Sequence, residues 1–412
     1  MTAHTDIGAV ETDVAGSAAA CDAAQAVRIR VHADLAEARA AWEELEAQHT
    51  ASPYQSLAWQ SAFLAHALPA GADSRIAVVS DAASGRPLLV LPLVIQRRGP
   101  LHVASLAGGK HANLHLPLAC PRAPALRAPE AVRAHLLAIG RTLGIDAFAF
   151  INLPATWRGR PNPLALPGLR PAASDAYWSA FADHAADHPA DAPPVPMSKE
   201  TQKKLRKKGR ALEALGPVRV SRARSEAEIA ETLDAFFAFK ARRMNALGID
   251  DPFDAPGVRA FLASAAAPTP DGVRPALTLW RLTVGDRIAA TFGAACDGER
   301  ASGMFIAFDD APEIARATPG DLMLLSIVED LRAEGYESFD LGVGEARYKG
   351  HFCDRREALF ELTLPVSLRG RAYAAGAGAA GRLKRAIKRE AATNPRITAA
   401  IARARRLLKR PA

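Results

Sequence analysis

The segment Arg316-Ala317-Thr318-Pro319-Gly320 stands between an apolar strand pattern that ends at Phe308 and an apolar helical pattern that begins at Asp321. A Thr-Pro-Gly turn at a helix start leaves the first backbone N–H groups unpaired and clear of bulky side chains. Those donors, together with the helix dipole, suit phosphate oxygens. Arg316 is placed to add positive charge. The same tripeptide is also an ordinary helix start, with Thr318 as cap and Pro319 in the first turn, and both readings stand. Asp340 can act chemically or be buried in a pair with Lys349 or Arg347. Cys353 and His351 face the same side of an extended stretch without forming a dyad.

Other constellations carry less. Gly342-Val343-Gly344 has the look of a dinucleotide fingerprint but lacks the third glycine and a long following helix. His111 and His115 stand four residues apart, as do His184 and His188, the latter among Asp183, Asp187 and Asp191. Pro117 and Pro189 argue against long helices there, and no H-E-x-x-H occurs, so no metal is expected.

The elements that must position these residues follow from periodicity. In the second half the pattern predicts a basic helix from Lys199 capped by Ser198, a strand at 218–222, and helices at 226–247 and 256–266. Three antiparallel strands follow at 276–284, 287–296 and 300–308, punctuated by Gly285-Asp286 and Asp297-Gly298. A helix at 321–334 with Leu322, Leu325, Val328 and Leu331 on one face precedes a strand at 338–341. Residues 359–364 are expected to close that same sheet. The first half predicts strands at 27–31, 74–80, 87–96 and 147–152, with helices beginning at Asp34 and Ser56 and one over 129–143. Both halves run strand, helices, hairpins, helix, strand, which points to an old duplication without a residue-level repeat.

A chain of 412 residues is long enough for two domains, and 49% hydrophobic with 23% charged residues is a globular composition. The expected layout is a disordered 1–26, a domain over 27–190, a proline-rich linker at 191–197, a domain over 198–366 and a basic helical tail at 371–412. The net charge of +8 belongs to that tail. Residues 371–412 hold twelve Lys and Arg against Glu390, leaving a net −3 on the rest, so no nucleic-acid partner is expected. Leu383, Ile387, Ile397, Ile401 and Leu408 recur at helical spacing among the cations. Such a helix either docks on an anionic membrane or acidic partner, or packs on its own domain. Four scattered cysteines without a C-x-x-C pair, and no basic and apolar leader in residues 1–26, place the chain in the cytoplasm.

The order Thr318-Pro319-Gly320, Phe339-Asp340-Leu341-Gly342 and Gly344-Glu345-Ala346-Arg347-Tyr348-Lys349, after a basic helix at 203–210, resembles the GNAT superfamily. The sub-pattern is similar to the CelD-type acetyltransferases of cellulose biosynthesis, related to the FemABX aminoacyl transferases. Ser52-Pro53-Tyr54-Gln55-Ser56-Leu57-Ala58-Trp59 resembles the opening of the family's first domain more loosely. The resemblance implies an α/β fold of two tandem GNAT-like domains, the first degenerate, with mixed, mostly antiparallel sheets flanked by helices.

It further implies an acyltransferase using acetyl-CoA or another acyl-CoA. The pantetheine arm would lie between strands 300–308 and 337–341, with Phe305, Ile306, Arg316, Thr318, Pro319, Gly320, Asp321 and Leu322 around the donor. Asp340, Glu345 and His351 are the available bases. Tyr348 would return a proton to the thiolate, and Lys349 would hold an anionic acceptor or the Asp340 carboxylate. The implied acceptor is a small molecule or glycan precursor of exopolysaccharide or envelope metabolism, which would bring the protein to the inner membrane's periphery. Two alternatives are a FemABX-like, aminoacyl-tRNA-dependent peptidyltransferase, and a non-catalytic accessory protein of a polysaccharide-biosynthesis or membrane complex.

Overall fold

A computed structural model describes residues 10–14, 26–48, 51–181, 195–270 and 273–393. His184, His188, the linker residues 191–194 and the tail beyond 393 lie outside the described residues. The chain divides into two compact units, one built on Met1–Ala172 with Ala358–Arg382, the other on Ala173–Glu357.

In the first unit, β1 (Val10–Val14), β2 (Val27–His32), β3 (Asp73–Asp81), β4 (Pro87–Arg98) and β5 (Leu101–Leu106) are consecutive antiparallel neighbours. Val27, Ile29 and Val31 are buried while Arg28 and Arg30 are not, as the alternation predicts. The unbroken apolar run of β4 is buried because that strand is central. Helices α1 (Leu35–Glu46), whose cap Asp34 accepts from the Glu37 N–H at 3.0 Å, and α2 (Leu57–His66) precede the hairpins. A short β6 (Leu118–Ala119) pairs with β4, and α3 (Pro129–Thr142) leads to β7 (Ala147–Pro154). Val10–Val14 lies within the stretch expected to be disordered. Its Val-Glu-Thr-Asp-Val alternation suffices once a neighbouring strand offers a ladder.

β5 and β7 run parallel but pair only at Val103–Ala147 and Ala104–Phe148. Past that point the angle between them is filled by the unit's own loop. His115 N–H donates to the Asn152 carbonyl at 3.1 Å, Gln55 Nε2 to the Leu114 carbonyl at 3.2 Å, and Leu114 and Leu116 are buried. Burial pushes the imidazoles of His111 and His115 down to about 4, so both are neutral, and His115 Nε2 lies 3.0 Å from the Gly109 carbonyl.

Three short strands, β8 (Thr156–Trp157), β9 (Arg160–Pro161) and β10 (Arg170–Pro171), precede the second unit. That unit comprises β11 (Ala176–Ala180), α4 (Lys199–Glu213), β12 (Val218–Arg222), α5 (Glu226–Leu247), α6 (Val258–Ala266) and the meander β13 (Thr278–Val284), β14 (Arg287–Cys296), β15 (Arg300–Phe308). It continues with α7 (Pro312–Ala315), α8 (Pro319–Ala333), β16 (Ser338–Val343), α9 (Lys349–Phe352) and β17 (Arg355–Glu357). The sheet order is β12-β13-β14-β15-β16-β11-β17, antiparallel except for β15–β16. Met323, Leu324, Ile327, Val328 and Leu331 of α8 pack with Trp280, Phe292 and Phe339 of the sheet.

The first sheet takes in a strand from beyond the second unit, and the second takes in one from ahead of its basic helix. β18 (Leu359–Pro365) pairs antiparallel with β7, from Leu359–Pro154 to Pro365–Ala147, and so belongs to the first unit. β11 pairs with β16 in the second. The expected closure of the second sheet by 359–364, and the boundaries at 190 and 366, are corrected accordingly. Alternation shows which face of a strand is buried, not which sheet receives its edge. The helix α10 (Leu368–Thr393) also starts on the first unit. Arg98 Nη1 donates to Tyr373 Oη at 2.7 Å, and at Gly370 a side chain would overlap the Asp146 carbonyl.

Candidate functional site

The site begins where β15 and β16 part. Their parallel pairing covers Arg300–Ser338, Ala301–Phe339 and Ser302–Asp340, and among the described residues Met304–Phe308 has no strand partner on the β16 side. Two glycines make this geometry. A Cβ on Gly303 would lie 3.0 Å from the Asp340 carbonyl, and one on Gly293 of β14 would lie 2.4 Å from the Phe305 ring. Between Gly293–Phe305 and Ala294–Gly303 the ladder carries one extra residue, Met304, a β-bulge that re-aims the free edge of β15.

A buried ion pair locks the vertex. Asp340, 1% exposed, accepts from Arg300 Nε at 2.8 Å and from Ser302 Oγ at 2.5 Å on one oxygen, and from the Gly342 N–H at 3.0 Å on the other. The expected pairing of Asp340 with Lys349 or Arg347 is thus replaced by Arg300, the residue that the parallel register brings beside it. With both oxygens engaged and buried, the Asp340 carboxylate is built to hold the two strands.

At the wide end, Gly320 packs on the free part of β15, where a Cβ would lie 3.3 Å from Ile306 Cδ1 and 3.8 Å from Phe308 Cδ1. Thr318 adopts φ 52° and ψ 59°, a left-handed conformation that a β-branched residue holds only under strain. Its side chain does not cap α8, which corrects the reading of Thr318 as a cap, and its Oγ1 is buried without a hydrogen-bond partner among the described residues. The N–H groups of Asp321 and Leu322 both turn back to the Thr318 carbonyl, at 3.1 and 3.3 Å. Pro319 has no N–H, so among the described residues the Gly320 N–H is the donor left open at this helix start.

The other expected donor contacts sort by position. Phe305 is buried with its ring stacked on Phe236 at 4.0 Å, so only its backbone is available. Ile306 is half-buried against Gly320, Leu322 packs against Gly209 of α4, and Arg316 is exposed at the end of α7. Asp321 sits in the first turn of α8, where burial pushes its carboxyl up and the nearby His351 and Lys208 oppose the rise.

Beyond β16 the chain turns through Gly342 (φ 70°) and Gly344 (φ 98°), both left-handed. Lys349 is buried and donates to the carbonyls of Gly342 and Val343, each at 3.1 Å, with its ammonium 5.7 Å from the Tyr177 ring centre. Burial lowers its pKa to about 8, against the pull of Cys353 and Asp340. Tyr348 is half-buried and pushed up to about 12, by burial first and then by Cys353 and Asp321, with Arg243 opposing. Glu345 is exposed. His351 and Cys353 do not share an extended stretch, since Lys349–Phe352 is a helical turn. The Cys353 thiol is raised chiefly by burial, and His351 Nδ1 is buried without a partner among the described residues.

Asp340, Tyr348, Lys349, Thr318 and Gly320 thus gather around one open angle. Sequence reasoning does not single out Arg300 or Ser302, which act forty and thirty-eight residues from their partner; the only available signal was two polar residues inside an apolar strand.

Residues 199–350 match the family model described as acetyltransferase (GNAT) domain. No curated protein sequence matches the chain. Among solved structures, one titled crystal structure of FemX is similar at TM-score 0.53 and 11% identity, over 81% of this chain and 97% of that one. A conserved protein of unknown function from Bacteroides thetaiotaomicron is similar at TM-score 0.50 and 14% identity, over 81% and 99%. The matched region has the GNAT acyltransferase fold: a mixed, mostly antiparallel sheet flanked by helices, with the parallel pair parting in front of a helix start. No described helix is long and apolar enough to cross a membrane.

Proposed function

We propose that the second unit transfers an acyl group from acyl-CoA to an amine or hydroxyl acceptor. The observation that carries this is the open angle between β15 and β16 with the glycine start of α8 at its wide end. A pantetheine arm can lie along the β16-facing edge of Met304–Phe308, whose N–H groups would polarise the thioester carbonyl, while a phosphate meets the Gly320 N–H and the α8 dipole. Asp340 positions the strands. Glu345 and His351 remain as bases for the acceptor, and Tyr348, protonated at neutral pH, can return a proton to the thiolate. By resemblance the acceptor is a glycan precursor. The first unit supplies no second donor slot, because its own loop fills the angle between β5 and β7.

Calorimetry with acetyl-CoA tests this. One molecule is expected to bind per chain, and Gly320→Trp is expected to abolish binding while the thermal transition persists. If no acyl-CoA binds, the reading fails, and transfer from aminoacyl-tRNA, a reading made alongside the likeness in fold to FemX, takes its place.

A further inference from the structure

The phosphate end of this proposed donor site needs a cation, and Arg316, placed there by sequence, is exposed at the end of α7. A second arginine packs on a ring that the helix start also touches. Arg243, near the end of α5, lays its guanidinium over the Phe308 ring at 5.6 Å from the centroid. That ring is the one whose Cδ1 lies 3.8 Å from where a Gly320 Cβ would stand. Phe308, the last residue of β15, is thus a ring that both the guanidinium and Gly320 approach. Its charge also reaches Tyr348, on the β16 side of the angle.

The environment of Arg243 differs from that of its neighbours. Arg242 pairs with Asp310 at 2.9 Å and Asp309 at 3.6 Å, and Arg259 pairs with Asp234. Arg281 binds Glu228 and Glu231, and Arg287 binds Asp309 and Glu313. Among the described residues no carboxylate lies within ion-pair distance of Arg243, although it is exposed on a surface rich in such pairs. A guanidinium stacked on an aromatic ring keeps its edge donors free, and that fork matches two phosphate oxygens.

We infer that Arg243 is the residue that binds the donor's pyrophosphate, seated on Phe308 beside the Gly320 N–H. This rests on the acyl-CoA reading and specifies its anchor. The contact is local to the helix start, so it concerns the pyrophosphate and not the 3′-phosphate of the nucleotide. Lys208 of α4 is close enough to Asp321 to oppose the rise of its carboxyl.

The test compares three probes on the full chain by calorimetry: acetyl-CoA, its 3′-dephospho form, and S-acetylpantetheine, which has no phosphate. Arg243→Gln is expected to weaken the first two by about tenfold or more and to leave the third unchanged. Arg243→Lys is expected to recover part of the loss, because it restores charge without the fork, and both variants are expected to keep the wild-type melting temperature. Unchanged acetyl-CoA affinity in Arg243→Gln overturns the inference. Equal weakening of all three probes also overturns it, since that would be a structural effect. A loss confined to acetyl-CoA and absent with the dephospho form would move Arg243 to the 3′-phosphate and overturn it too. Wild-type protein that binds none of the probes defeats the acyl-CoA reading itself, a result distinct from the others.

Discussion

At the scale of single residues, Asp340 shows how burial changes the meaning of a carboxylate. Exposed, it would be a candidate base; at 1% exposure with Arg300, Ser302 and Gly342 donating to it, it is a clamp between two parallel strands. Removing one partner of such a pair leaves the other charge buried and unpaired, which costs about 3–5 kcal/mol. Asp340→Asn is therefore expected to lower the unfolding free energy by that much, read from urea titration. A variant with wild-type stability and lost transfer activity would instead make Asp340 the base. Arg300 and Ser302, unlike Asp340, are individually unremarkable in the sequence. Their relation exists only through the β15–β16 register.

At the scale of elements, the turn after β16 is held by Lys349, whose ammonium serves the Gly342 and Val343 carbonyls in a buried setting. Burial depresses its pKa from 10.5 to about 8. Between those two values the unfolded chain binds more protons than the folded one, so this group makes stability rise with pH across that window. Below about pH 8 the burial penalty is fully present. Above the window both states hold the neutral amine, which still has two N–H donors for the carbonyls. Compared with Lys349→Met, the wild type is expected to gain roughly 3 kcal/mol at most between the two ends, read from urea unfolding across that range. A flat difference would mean that Lys349 is solvated like a surface lysine. The α8 start was legible as an element, from Thr318-Pro319-Gly320 before an apolar face. Its left-handed Thr318 and single open N–H were not, because a threonine before proline is expected to be extended.

At the scale of the whole molecule, the second unit's sheet takes in β11 from ahead of its basic helix, and the first unit takes β18 from beyond the second unit and pairs it with β7. A fragment cut at the sequence-derived limits, 198–366, lacks β11 and carries β18 without its partner. It is expected to aggregate, because both leave unpaired strand edges. A fragment spanning 173–357 retains the complete second sheet and is expected to unfold cooperatively on heating. Equal behaviour of the two fragments in circular-dichroism melts would show that β11 is dispensable. Residues 359–364 were readable as a strand but not assignable to a sheet.

The sequence by itself determined most of the elements of this protein, though not β1, β5 or β11, and the order of its chemistry-bearing residues, because periodicity, caps and turn residues are local. Tertiary structure decided which strand completes which sheet and which charge meets Asp340. Those are contacts between residues distant in sequence, whose partners depend on the register and crossing of strands, and no local pattern carries that information.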